Sequence, residues 1–300
     1  MVSVPIFDGL QKLVGNRVKI DEPLSRHTSL GIGGPARYFL ELMNIGELTR
    51  VIEFSQEKNL DFFVLGEGTN VLFCDEGFNG LVIRLQGEFG KFSIESEQVT
   101  AGAGVKLNYL VEELAKRGLA GLEFASGIPG SLGGAIVSNA GTKKGSMSDV
   151  TREIKIFSAG NVKILKKDEL NFSYRHCDLP DKAIILEVKL ELKKGKKSDI
   201  IEKIKQNIKE RKKNQPLSTL NAGCVFKNPR NYEAGKLIEI AGLKGTRLGD
   251  AEVSSKHANF IINRGRAKAK DVYDLIEKIR QTVKEKLNVD LELELKLVGW

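Results

Sequence analysis

The apolar positions of this chain change period several times along its length, and each change marks an element. Arg37 to Leu42 (RYFLEL) alternates, as a half-buried strand does. From Glu47 to Lys58 the spacing widens to that of a helix, with Leu48, Val51, Ile52 and Ser55 on one side. Phe62 to Leu65 is a short apolar run stopped by Gly66, the pattern of a buried strand feeding a loop. This strand–helix–strand order predicts a small α/β part ending near residue 64.

Strands and glycine turns dominate the next stretch: Gly80 to Leu85, Phe92 to Ile94, Val99 to Ala103, Glu153 to Ser158 and Ala183 to Leu192. One helix interrupts them, Leu107 to Arg117, whose Leu107, Leu110, Val111 and Leu114 share a face and whose end is marked by Gly118. Between Lys193 and Asn214 the chain is lysine-rich, yet Ile200, Ile201, Ile204 and Ile208 recur at helical spacing until Gln215-Pro216 ends the pattern. Further on, the pattern predicts a short helix over Ala234 to Ala241, a strand over Ala258 to Asn263, and a long helix from Ala269 to Leu287 with Val272, Ile276, Ile279 and Val283 inward. Val289 to Val298 closes the chain with LELEL at period two, a strand. The expected class is α+β in three parts, residues 1–64, 65–205 and 206–288, with the terminal 289–300 rejoining the first.

Composition adds limits. At 41% hydrophobic and 29% charged residues over 300 positions, this is an ordinary globular chain with room for more than one core. Met1 to Gln11 has no basic segment followed by a long apolar run, so no leader is expected, and no membrane span is visible. Cys74, Cys177 and Cys224 lie far apart with no CxxC pair, which suits a reducing cytoplasm better than a disulfide framework. Most of the net charge of +8 sits between Lys193 and Asn214, where ten basic residues face three acidic ones. No aromatics interleave with them, so a solvated helix face is favoured over a nucleic-acid patch.

Two loops carry candidate chemistry. Gly66-Glu67-Gly68-Thr69-Asn70 directly follows a strand; Gly127-Ile128-Pro129-Gly130-Ser131-Leu132-Gly133-Gly134-Ala135 runs on to Asn139-Ala140-Gly141. Glycines let backbone N–H groups approach a ligand and accept positive φ, and a helix starting near Ser131 could aim its N-terminus at a phosphate. Either loop alone reads equally well as a tight turn; two together favour a dinucleotide pyrophosphate. Gly31-Ile32-Gly33-Gly34-Pro35-Ala36 meets the loose G-x-G-x-x-A pattern, but a strand pattern follows it, so the site is not of the Rossmann kind. FAD on another fold is the better expectation, with no metal.

The order of these and later blocks resembles the type II UDP-N-acetylenolpyruvoylglucosamine reductases. The blocks are His27-Thr28-Ser29 with Gly31 to Gly34, Gly66 to Leu72 (with Val71), Gly127 to Ser131, Tyr174-Arg175, and Ala222-Gly223-Cys224-Val225-Phe226-Lys227-Asn228-Pro229. Gly235 to Glu239, Ser255-Lys256-His257-Ala258-Asn259-Phe260 and the closing Leu291 to Gly299 complete the set. The short segment after Tyr174-Arg175 lacks the longer insertion of type I enzymes. The resemblance implies a PCMH-type fold over roughly residues 33 to 195, holding FAD non-covalently, and a C-terminal α+β substrate domain. It also implies an NADPH-dependent UDP-N-acetylmuramate dehydrogenase of peptidoglycan precursor synthesis, and so of cell-wall biogenesis, shape and division. NADPH and UDP-N-acetylglucosamine enolpyruvate would take turns at the site of a monomeric, cytoplasmic enzyme that binds neither nucleic acid nor membrane.

By the same resemblance, Arg175 and Glu294 stabilise the negative charge that develops on the substrate carboxylate side. Cys224 stands where the family commonly has a proton-donating serine; a thiol is the stronger acid of the two. Glu294 and Glu292 are indistinguishable by pattern, and register to Gly299 selects Glu294. Tyr174, Lys227, Asn228, Lys256 and Asn259 are candidate substrate contacts, while His257 reads equally well as a structural histidine. Two alternatives stand beside this reading: another PCMH-type flavoenzyme, and a nucleic-acid binder using the lysine face.

Overall fold

The computed structural model describes residues 4–300; Met1 to Ser3, the start of the segment read for a leader, lie outside them. The chain divides into two compact units, Met1–Ile20, Tyr38–Glu67 and Gly80–Lys209 forming the first, and Asp21–Arg37, Gly68–Asn79 and Glu210–Trp300 the second. Each has its own apolar core.

The first unit is built on a five-stranded antiparallel sheet in the order Asn161–Lys166, Thr151–Ser158, Ile184–Glu191, Gln98–Gly102, Phe92–Glu95. Alternate residues such as Ile154, Ile156, Val188 and Val99 face its core, with Leu107, Leu110, Val111 and Leu114 of the Leu107–Lys116 helix in the same cluster. A four-stranded sheet in the order Val18–Pro23, Pro35–Leu42, Phe78–Leu85, Phe62–Val64 belongs to this unit for most of its length, and its last two strands run parallel. The Ile45–Glu57 helix buries Leu48, Val51, Ile52 and Ser55, and its first turn is capped by Asn44, whose side chain accepts from the Glu47 N–H. A further helix, Val4–Val14, escaped the sequence reading; Leu10 and Val14 enter the core, and a Cβ on Gly9 would overlap the Phe54 ring.

The second unit centres on an antiparallel sheet in the order Leu220–Asn221, Ile261–Asn263, Ala251–Val253, Arg247–Leu248. The Ala234–Ile240 and Ala269–Leu287 helices share its core, the longer one through Val272, Leu275, Ile276, Ile279 and Val283. Lys296–Val298 pairs in parallel with Val71–Phe73.

Two expectations need correction. The strand read over Ala258 to Asn263 exists only at Ile261–Asn263, because Asn259 bonds across to another segment and Phe260 closes a turn onto His257 O. Nor is Val289 to Val298 one strand. The N–H groups of Glu294 and Leu295 both donate to Val225 O, and burial falls at Leu291, Leu295 and Val298 rather than at every second residue. Regular strand is confined to Lys296–Val298.

Candidate active site

In the first unit, the two glycine loops meet. A Cβ on Gly66 would overlap Ser131 Oγ, so only a glycine lets one loop lie against the other. Gly127 and Gly130 have φ of +77° and +137°, which side-chain-bearing residues rarely adopt. Gly133 packs on Ala103 and donates to its carbonyl at 2.8 Å, while Ser131 caps the Leu132–Val137 helix by accepting from the Gly134 N–H. The loop is fixed from outside too: Gly127 N–H donates to Asn108 Oδ1 at 2.8 Å, Ile128 N–H to Ala125 O, and Leu107 N–H to Gly130 O. Pro129 lies between Ile128 and Gly130, and Glu67 lies 3.6 Å from the Lys106 ammonium. Close-packed backbone of this kind, where a Cβ would intrude, is what a dinucleotide pyrophosphate needs. The residues present fit a flavin dinucleotide.

The continuation of that second loop reaches Arg175. Ser173 and His176 exchange backbone hydrogen bonds across a two-residue turn whose tip is Tyr174-Arg175. Arg175 has φ +57°, a conformation that costs a non-glycine residue of order 1 kcal/mol or more. Its guanidinium donates to Gly141 O at 3.1 Å and lies over the Tyr174 ring, itself exposed. Asn139 is buried and joins the two segments, donating to Ser173 O at 2.8 Å and accepting from the Ser148 N–H at 3.0 Å.

The other candidates lie in the second unit, with Gly68, Thr69, Asn70 and Val71. Gly68, at φ +64°, packs on the His27 carbonyl where a Cβ would overlap it, and its own carbonyl accepts from the Ser29 N–H. Ser29 Oγ donates to Asn221 O at 2.7 Å, ahead of the cysteine block. Cys224 is half-buried and follows Gly223, which has φ +77°. The segment from Cys224 to Lys227 runs antiparallel to Glu292–Leu295: Glu294 N–H donates to Val225 O at 2.9 Å and Lys227 N–H to Glu292 O at 2.8 Å. Val225 thereby lies opposite Glu294, and Cys224 is one position along on the facing segment. Asn70 Nδ2 donates to Glu294 O at 3.1 Å, and Asn70 O accepts from Lys296 N–H, which ties the first glycine block to the same strand end.

The candidate substrate contacts of this unit have partners of their own. Both ends of the buried Asn259 amide are taken by Phe226, N–H to Oδ1 at 2.9 Å and Nδ2 to carbonyl at 2.8 Å, so this side chain holds the cysteine segment. Lys227 pairs with Glu292, Asn228 accepts from the Ala234 N–H at the start of a helix, and Lys256 reaches the Lys212 carbonyl at 2.6 Å. His257 packs edge-on against Phe260, and burial holds its imidazole below the ordinary histidine range. Cys177 is pushed up to about 11 by burial, and burial also raises Cys74, so both remain thiols near neutrality. The Gly31–Gly34 run serves packing, since a Cβ on Gly34 would overlap Asp75 O, and the strand Pro35–Leu42 follows it. Asn139 and Ser29 were missed as linking residues; an asparagine amide gives no periodic signal, and its partners are apparent only once the chain folds.

Comparison with known proteins gives the class first. Residues 36–165 match the FAD binding domain, over the segment that holds most of the first unit's loops, and the chain is an FAD-containing oxidoreductase. Residues 215–298 match the C-terminal domain of UDP-N-acetylenolpyruvoylglucosamine reductase. A reductase of that name from Symbiobacterium thermophilum is 42% identical over 98% of this chain and 97% of its own length, and one from Bacillus subtilis 39% identical over 98% of each. The crystal structure of the Thermus caldophilus reductase superposes with a TM-score of 0.83 at 40% identity, covering 93% of this chain and 97% of the other. The chain belongs to the UDP-N-acetylenolpyruvoylglucosamine reductase family, and the expected α+β class with an FAD-binding domain is the one found. Among the described residues no helix is long and apolar enough to cross a membrane.

Proposed function

We propose that this chain reduces the enolpyruvyl double bond of UDP-N-acetylglucosamine enolpyruvate to give UDP-N-acetylmuramate, with NADPH as reductant, as a monomeric cytoplasmic enzyme of peptidoglycan precursor synthesis. In this reading residues 1–64 and 65–205 hold the flavin, and 206–288 with the terminal segment hold the substrate. FAD, when bound, would supply the two-electron chemistry, with NADPH as the source of the hydride that the vinyl carbon receives. Gly66 to Val71 and Gly127 to Gly134 would line its pyrophosphate, the second loop offering the N–H groups of Gly130 and Ser131 while those of Gly127, Ile128, Gly133 and Gly134 fix the loop itself. Arg175 meets the substrate carboxylate with its planar fork and stabilises the negative charge that hydride addition places there. Glu294 supports the same charge through a hydrogen bond to the enol form. Cys224 Sγ–H gives its proton to the adjacent carbon, completing addition of hydride and proton across the double bond.

The observation that carries this reading is the pairing of Cys224 to Lys227 with Glu292–Leu295, which sets the proposed proton donor and the proposed carboxylate on facing segments. Tyr174, Lys227, Asn228 and Lys256 line the substrate in this reading, while Asn259 acts through Phe226. The test is product analysis with Cys224 variants. Wild type and Cys224→Ser turn the enolpyruvyl substrate into a product two hydrogens heavier, while Cys224→Ala oxidises NADPH without forming it. A fully active Cys224→Ala enzyme would remove the cysteine from the mechanism.

A further inference from the structure

Arg175 occupies the tip of a short turn in a backbone conformation disfavoured for arginine, so something outside the turn must hold it there. The turn's first residue is Ser173, and its carbonyl accepts from Asn139 Nδ2 at 2.8 Å. Asn139 is 6% exposed, and the other end of its side chain accepts from the Ser148 N–H, so it cannot rotate away without losing both bonds. Asn139 is also in the left-handed region, φ +38°, as part of the run that leaves the second glycine loop, and Gly141 two residues on accepts from the Arg175 guanidinium at 3.1 Å. The glycine-loop tail therefore grips the turn at its backbone and at its charged tip.

We propose that Asn139 is a positioning residue that sets the guanidinium of Arg175 for the substrate carboxylate; the proposal rests on the reading of Arg175 given above. It acts through Ser173 and does not touch substrate. Its contribution accordingly appears only toward ligands that carry the carboxylate.

Asn139→Asp isolates the link. Aspartate tolerates the left-handed backbone and can still accept from Ser148, but it turns an acceptor toward Ser173 O where a donor is needed. Binding of UDP-N-acetylglucosamine enolpyruvate and of UDP-N-acetylglucosamine, which lacks the carboxylate, would be measured by calorimetry on the oxidised holoenzyme. For Asn139→Asp we expect affinity for the first to fall about tenfold, the worth of one buried hydrogen bond, with the second unchanged. Placed on Arg175→Ala, the same change should add less than about twofold, since the two act as one unit. Equal weakening of both ligands, or a full additional loss on Arg175→Ala, would show a merely structural residue and overturn the proposal. Retained discrimination in Asn139→Asp, when Arg175→Ala has lost it, also overturns it while leaving the role of Arg175 intact. Retained discrimination in Arg175→Ala sinks that role, and the proposal with it. Asn139→Gly, which keeps the backbone conformation without the amide, repeats the comparison should the aspartate variant fail to fold.

Discussion

The turn that carries Arg175 and the segment that carries Cys224 are each held by one buried asparagine, yet the holding differs in kind. Asn259 takes both backbone groups of Phe226, two residues past Cys224, and the segment is further paired with Glu292–Leu295. Asn139 takes a single carbonyl of the Arg175 turn, whose backbone is strained and whose Tyr174 ring lies open to solvent. On the proposed reading Cys224 must sit at a fixed distance from one carbon, and it adjoins a paired segment whose Val225 and Phe226 are buried. On the same reading the Arg175 charge meets a carboxylate and acts over a longer range, and it is presented on a turn with a positive φ.

If that contrast is right, the largest effects fall on chemistry. Cys224→Ala and Arg175→Ala should each slow reduction of the enolpyruvyl substrate about 10²- to 10⁴-fold, with NADPH oxidation by the flavin nearly unchanged, as stopped-flow measurement of the two half-reactions would show. Equal loss in both half-reactions would break the assignment. Next in size is stability. Asn259→Ala removes two buried hydrogen bonds and should lower unfolding free energy by about 2–4 kcal/mol in urea titration, where a change under about 1 kcal/mol would deny it the clamp role.

A smaller effect has the opposite sign. Arg175→Gly relieves the positive φ and should stabilise the protein by about 0.5–1 kcal/mol while slowing substrate reduction as much as Arg175→Ala does, whereas Arg175→Ala, which keeps the strain, should gain no stability. The smallest is a pH dependence confined to the cysteine side. Burial, with Lys244 nearby, depresses His257, so the folded state favours the neutral ring. That stability is fully present above the ordinary histidine value of about 6.5 and is lost as pH falls through the lower folded-state value. The Arg175 turn carries the His176–Asp178 pair instead, and Asp178, held low by His176, loses its contribution as pH falls through the carboxylate range. Melting curves from pH 7.5 to 5 should therefore fall for wild type and flatten for His257→Gln. An unchanged slope in that variant would place the acid sensitivity elsewhere.

Much of this was legible in the chain because period and punctuation agree. Leu107 to Leu114 ends at Gly118, and Val272 to Val283 fills one helix face, so those helices stand where the pattern put them. Both glycine loops were legible too, since their glycines are required by positive φ and close packing. The closing LELEL misled, because alternation does not reveal that Glu294 and Leu295 share one acceptor on Val225 and so leave the strand register. The Val4–Val14 helix was hidden by Gly9, which is there to admit Phe54. The asparagine clamps were beyond reach for a plainer reason: their partners are backbone groups 33 and 34 residues away.

The central claim is tested most directly by an anaerobic titration of the holoenzyme's flavin absorbance. NADPH is added until the oxidised band bleaches, excess nucleotide is removed, and UDP-N-acetylglucosamine enolpyruvate is then supplied. The account predicts stoichiometric return of the band without oxygen in wild type and Cys224→Ser, and none in Cys224→Ala. A reduced wild-type enzyme that stays bleached in the presence of this substrate would contradict it.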